Sequence, residues 1–246
     1  MKKIHINCDL GEGGEYDKEL MPLISACNIA CGGHAGTIES MHHTVDLAME
    51  HNVEIGAHPS YPDKENFGRI SMKIDPKELK RSLMAQILSL KQIAEAEGAN
   101  LLHVKPHGAL YNDAQKDEKI AAIIIDTIQE FDDPLMLYAP ENSVIARMAE
   151  GQIQVIYEAF ADRNYNPDRS LVSRLNSEAL ITQKEAVFKH LFSMFHDRKI
   201  TCLNGEKIDC LATTFCLHSD TPDAVDILKY LHQKFRELDV KIAHSS

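Results

Sequence analysis

The chain has 246 residues, 44% of them apolar, and no Pro/Gly/Ser-rich linker or repeat divides it, so one domain spanning 1–246 with a sizeable core is expected. A formal net charge of −11, from 26 Lys+Arg against 37 Asp+Glu with no long basic run, excludes a phosphate-backbone partner, so no nucleic acid is expected. No apolar stretch could span a bilayer and no secretory signal follows Lys2-Lys3, which argues against a membrane role and for a cytoplasmic location.

Strand patterns are read at about 3–8, 25–30, 53–57, 101–105, 135–139, 153–159 and 211–217, each apolar enough to be covered on both faces. Helical patterns lie between them at 37–51, 75–97, 117–131, 141–150, 183–198 and 222–238. The second opens on Asp75-Pro76, an N-cap followed by proline at the first helical position. Alternation of this kind predicts a parallel α/β sheet with right-handed crossovers. Seven strands are one short of a standard (β/α) TIM barrel, which leaves a missed strand, a distorted and incompletely closed barrel, or an open doubly wound sheet. Residues 200–208 break the alternation, and Asn204-Gly205 between short strands predicts a two-residue type I′ hairpin decorating the barrel.

Polar side chains cluster where these strands end. The first strand leaves through Asn7-Cys8-Asp9-Leu10-Gly11-Glu12, which puts Asp9 and Glu12 on a glycine-rich turn where paired carboxylates can bind metal or divide acid and base roles. The second and third deliver Asn28 with His34, and His58, among small residues that leave room around the rings. The fourth carries Lys105-Pro106-His107. A lysine at the end of an apolar strand needs an anionic partner, and His107, two residues on, lies on the same side of an extended backbone. Such a pair can polarise a carbonyl and move a proton, and neither residue is expected to hold the core. The last two strands add Glu158, Asp162, Arg163, His218 and Asp220. Each cluster alone has a structural reading: a helix cap for Asp9 or Asp220-Thr221-Pro222, a loop ion pair for Asp162 and Arg163. Barrel strand ends share one face, so together they predict one pocket in which Asp9, His34, His58, Lys105 and His107 converge.

No phosphate-binding glycine motif is present, so no ATP site of that kind is encoded. The six cysteines lie mostly in apolar runs and read as buried reduced thiols, although Cys27 and Cys31 beside His34 also suit a metal cluster or a nucleophile.

The segments Asn7-Cys8-Asp9-Leu10-Gly11-Glu12, Asn28-Ile29-Ala30-Cys31-Gly32, Gly56-Ala57-His58-Pro59, Phe67-Gly68-Arg69, Val104 through Asn112, and Phe160-Ala161-Asp162-Arg163 resemble, in the same order, the LamB/YcsF family, the A subunit of bacterial 5-oxoprolinase. The resemblance covers essentially the whole chain. It implies a distorted seven-stranded barrel similar to those of sugar hydrolases and deacetylases. It also implies a share in the ATP-dependent opening of 5-oxo-L-proline to L-glutamate, with B and C subunits as partners and ATP used through them. On that footing Asp9, Lys105 and His107 are the expected catalytic residues, and Glu12, Asn28, His34, His58, Asp162, Arg163 and His218 the expected substrate contacts. Lys105 or Arg163 would meet the substrate carboxylate. Gly33, Thr37, Ser60, Ile70 and Ser219 depart from the family pattern and touch polar contacts that bear on substrate or partner. Two alternatives follow from the same residues: a metal-dependent deacetylase or amidohydrolase with Asp9, His34, His58 and His107 as ligands to a divalent metal, and a non-catalytic binding subunit.

Overall fold

The computed structural model describes residues 2–243. In chain order its elements are β1 (Lys2–Leu10), α1 (Asp17–Leu20), β2 (Ala26–Ala30), α2 (Ile38–His51), β3 (Glu54–His58), α3 (Pro76–Ala96), β4 (Leu101–Val104), α4 (Gly108–Ala114) and α5 (Glu118–Ile128). There follow β5 (Met136–Pro140), α6 (Val144–Ala149), β6 (Val155–Phe160), α7 (Lys184–Phe192), β7 (Lys199–Thr201), β8 (Lys207–Asp209), β9 (Thr214–Cys216), α8 (Ala224–Glu237) and β10 (Val240–Ile242).

Strands β1 to β6 and β9 pair in parallel, and β9 pairs back onto β1 through His5, Ile6 and Asn7, closing a seven-stranded barrel. The open doubly wound alternative is thereby excluded. The structure adds one parallel strand beyond the expected seven: β10 pairs with Lys2–Ile4, the part of β1 that precedes its pairing to β2 and β9. Three residues at the end of a polar tail carry too little pattern to be read from sequence.

Local chemistry sets the helix boundaries. Thr37 caps α2 in a reciprocal box with Ser40, Asp75 accepts from Lys77 N and Glu78 N at the start of α3, and Ser143 accepts from Ala146 N. The helix expected from 141 therefore starts at Val144, with Glu141 and Asn142 outside it. Asp220-Thr221-Pro222 does not cap α8, whose first residue follows Asp223 at φ 58° with no side-chain cap. The 200–208 hairpin forms, but not with a type I′ turn. Thr201 pairs with Lys207, Cys202 N donates to Glu206 O (2.7 Å), and only Gly205 (φ +86°) is left-handed, so Leu203-Asn204-Gly205 makes a three-residue loop.

An apolar layer between strands and helices holds Ile4, Ile6, Cys8 and Leu10 of β1 in one buried cluster with helix residues such as Leu228, Leu231, Leu83 and Leu90. The opposite face of β1 is not apolar. Asn7 and Asp9 point into the lumen, where they meet Asn28, Lys105 and Thr214 across the barrel. The strands are thus buried on both faces, but one of those faces is a hydrogen-bonded polar interior. All six cysteines are buried and free, and desolvation raises the thiols of Cys27 and Cys31, the latter to about 12, which leaves them protonated rather than nucleophilic.

Candidate active site

A cavity of about 520 Å³ opens at the C-terminal ends of the barrel strands. Asp9, Glu12, His58, Lys105, His107, Arg163 and His218 line it. His34 stands directly behind, its ring stacked on His107 at 3.6 Å. Asn28 and Asp162 are fully buried a layer deeper and are not on the wall, so neither is placed to touch a ligand directly.

Lys105 forms the floor. Its Nζ donates to Asp9 Oδ1 (2.9 Å) and lies 3.0 Å from Glu158 Oε1, with Asn7 Oδ1 at 3.3 Å. Burial alone would push its proton off, but Asp9 and Glu158 outweigh that and raise its pKa, so it stays charged. Asp9 is the reverse case: burial raises its carboxyl, but His58 and Lys105 hold it well below the usual range. Tyr111, on α4, donates to Glu158 Oε2 (2.9 Å) and completes that corner.

The second group is Glu12, His34, His58 and His107, whose ligand atoms all lie within 4.8 Å of one another. His58 Nδ1 donates to Lys105 O (2.7 Å) and His107 Nε2 donates to Phe67 O (3.0 Å). In the neutral rings the bare nitrogens, His58 Nε2 and His107 Nδ1, then face each other at 3.0 Å with nothing to donate between them. Glu12 Oε1 sits 3.4 Å from His107 Nδ1 and 3.9 Å from His58 Nε2, and Asp9 Oδ2 is 3.4 Å from His58 Nε2. Two facing lone pairs beside two carboxylates, with the far ring nitrogens fixed on backbone carbonyls, suit a divalent cation. His34 suits it less: its Nε2 is engaged by Glu12 (2.9 Å), and coordination there would leave its buried Nδ1 proton without a partner. Glu12 therefore joins the expected ligands, and His34 stays within reach of the same point. Desolvation, with His58 and His34 adding to it, pushes the His107 pKa far down. A ring so held is a poor proton carrier.

The third group is better suited to that task. Asp162 accepts from His218 Nδ1 (3.0 Å), His218 N (2.9 Å) and Thr221 Oγ1 (2.6 Å). Burial raises the Asp162 carboxyl, yet His218 and these hydrogen bonds bring it to about 2. Burial lowers His218, but the Asp162 charge and hydrogen bond raise it overall, while the ring stacks on Phe160 at 5.2 Å and faces the cavity. Above it the rim carries Arg163, held by Val172 O (2.8 Å) and Ala179 O (3.3 Å), and Arg69 and Arg174, which share Asp220 Oδ2 at 2.8 and 3.3 Å.

Chain turns put these groups in place. Gly36, at φ +91°, lets the β2–α2 loop fold so tightly that a Cβ would lie 2.3 Å from Ala30 O, and this loop delivers His34. Phe67 (φ 53°) and Gly68 (φ +61°) are both left-handed, which brings Phe67 over His34 and His107. Two departures from the family pattern also find reasons. Thr37 caps α2, and Gly33 leaves room for Gln86, whose Oε1 and Nε2 bond the backbone N and O of residue 60 at 3.0 Å each. A Cβ at Gly33 would lie 2.3 Å from Gln86 Oε1.

The LamB/YcsF family profile matches residues 4–246. The chain belongs to the LamB/YcsF family. This family member is 44% identical over 246 residues to the 5-oxoprolinase A subunit of Pyrococcus horikoshii, covering 98% of this chain and 96% of the relative. It is 41% identical over 243 residues to that of Haemophilus influenzae strain PittEE, covering 98% and 99%. Among solved structures it is similar to a lactam utilization protein from Thermus thermophilus, with TM-score 0.91, 33% identity and coverage of 98% and 99%. Tyr111, Phe67, Arg69 and Arg174 were not among the expected site residues, and Glu158 was noted at its strand end without a role. Glu158 ends an apolar strand as Lys105 does, and that shared oddity was the signal available for it.

Proposed function

We propose that this chain is the A subunit of an ATP-dependent 5-oxoprolinase and carries out ring opening of 5-oxo-L-proline to L-glutamate together with B and C subunits. The observation that carries the reading is the end-to-end similarity to relatives named as 5-oxoprolinase A subunits. With no phosphate loop in the sequence, ATP is assigned to the partners and the activated ring to this cavity.

Opening the ring adds water across the amide C–N bond, with the oxygen going to the carbonyl carbon and a proton to the departing nitrogen. Lys105, kept charged, stabilises the negative charge that develops on the lactam oxygen. His218, oriented and polarised by Asp162, takes the water proton and returns it to the nitrogen, a role it fills in place of His107. Arg163 receives the substrate carboxylate. His58, His107, Glu12 and Asp9 would hold a divalent ion, which when bound supplies a Lewis acid for carbonyl or water. The facing nitrogens of His58 and His107 also favour a second reading, a metal-dependent amidohydrolase acting on another small amide.

Co-expression with B and C subunits and measurement of glutamate release tests this. Turnover is expected only in the assembly, and His218→Asn should lower it about 10²–10⁴-fold with the complex intact. ATP hydrolysis by the isolated chain, or an assembly inert on 5-oxoproline while the chain alone cleaves N-acetyl substrates, would overturn it in favour of the second reading.

A further inference from the structure

His103 lies in the barrel lumen, fully buried and off the cavity wall, one strand position below Lys105. Its Nε2 is 2.7 Å from Asn28 Oδ1. That oxygen can only accept, so Nε2 carries the proton, and Nδ1 is the bare nitrogen, buried without a partner. With its carbonyl taken by His103, Asn28 turns both amide protons the other way, toward Asn7 Oδ1 (2.8 Å) and Asp9 Oδ1 (2.7 Å). Asp9 Oδ1 therefore has two donors, Asn28 and Lys105, while Oδ2 is left facing His58 and the cavity. A flipped Asn28 would instead present its carbonyl oxygen to a carboxylate, which is repulsive.

The surrounding fold is shaped to hold this ring. Tyr138 stacks on it at 3.9 Å and 5° between planes, and β3 carries glycine at 56, where a Cβ would come within 2.0 Å of His103 Nε2. A ring that only filled space would need neither a fixed tautomer nor an unpaired buried nitrogen, which is costly. We propose that His103 is a positioning residue: through Asn28 it dictates which oxygen of Asp9 is offered to the reacting groups. The effect on turnover rests on the oxoprolinase reading, whereas the orientation of Asn28 does not.

The test compares His103→Leu, which removes the donor, with His103→Gln, whose Nε2 reaches the same point, in the assembled enzyme and in the isolated chain. In the assembly His103→Leu should lower kcat about 10–100-fold with KM changed less than about twofold, and His103→Gln should recover most of the loss. Adding His103→Leu to Asn28→Ala should cost nothing further, because the two act in series. In the isolated chain, NMR of the Asn28 side-chain amide should show two hydrogen-bonded protons in wild type and His103→Gln, and exchange broadening or loss in His103→Leu. Additive losses in the double variant, or an unchanged Asn28 signal in His103→Leu, overturn the proposal. Should wild-type assembly fail to open 5-oxoproline, the oxoprolinase reading falls while the NMR comparison still decides the role of His103.

Discussion

Lys105 shows how one residue changes meaning once its neighbours are known. A lysine ending an apolar strand needs an anion, and it has two, Asp9 and Glu158, in a site with almost no solvent. The expectation that its removal would spare the fold is therefore corrected. Lys105→Met leaves two buried carboxylates facing each other, and breaking such a pair costs roughly 3–5 kcal/mol. The variant should melt well below wild type as well as lose activity, and an unchanged melting temperature would show that the carboxylates find other partners. Asp162 gives a second residue-level prediction. Its pKa falls from the ordinary 3.8 to about 2, so the stability it contributes is present above pH 3.8 and lost as pH drops through 2. His218 is raised above 6.5, so its share is complete below 6.5 and lost as pH rises through its folded value. Asp162→Asn should accordingly lower the melting temperature most between about pH 4 and 6.5. The acid side of this difference corresponds to about 2 kcal/mol. Melting curves of both proteins from pH 2 to 8 check the window, and a constant difference throughout would refute it.

At the level of elements, the loops after the strands do the positioning. Gly36→Ala forces a Cβ against Ala30 O at a left-handed φ and should cost about 1–3 kcal/mol while displacing His34. A thermal shift paired with a loss of divalent-metal affinity is the expected result; lost stability with full affinity would separate the loop from the cluster. The elements themselves were largely legible. Period and caps located α2, α3 and α5 to within a few residues, because Thr37, Asp75 and Asp117 act locally. The short α4 and β10 were not legible, since α4 lies directly on the Lys105-Pro106-His107 turn and β10 exists only through pairing to β1. The Asn204-Gly205 turn departs from expectation because strand register, rather than the dipeptide, chose a three-residue loop.

For the whole molecule, charge is distributed against the bulk numbers. A chain of net −11 gathers Arg69, Arg163 and Arg174 on one rim of the cavity and carboxylates Asp9, Glu12 and Glu158 around its floor, offset there by Lys105 alone. With burial pushing the His34 and His107 pKa values down, that floor keeps more carboxylates than cations in a desolvated place, which favours a bound cation. Chelator-treated chain should take up about one divalent ion per molecule with a raised melting temperature. His107→Ala should weaken that uptake by at least the roughly 10–100-fold typical of outer-shell losses. Equal affinity in the variant would remove His107 from the ligand set. Among the described residues no helix is long and apolar enough to cross a membrane.

By itself the sequence determined the alternation of strand and helix, the family, and the residue types at the strand ends, since these depend on local pattern and on order along the chain. Only the tertiary structure decided which of those residues meet. Asp9 and Lys105 are 96 positions apart and Asp162 and His218 are 56 apart, and no spacing rule joins partners that come from different strands. It also moved Asn28 and Asp162 behind the wall and brought Glu158 onto Lys105. The physical reason is barrel closure: it converts position within each strand into depth along a common axis, so that a residue's height and lumen-facing side, rather than its neighbours in sequence, set its chemistry.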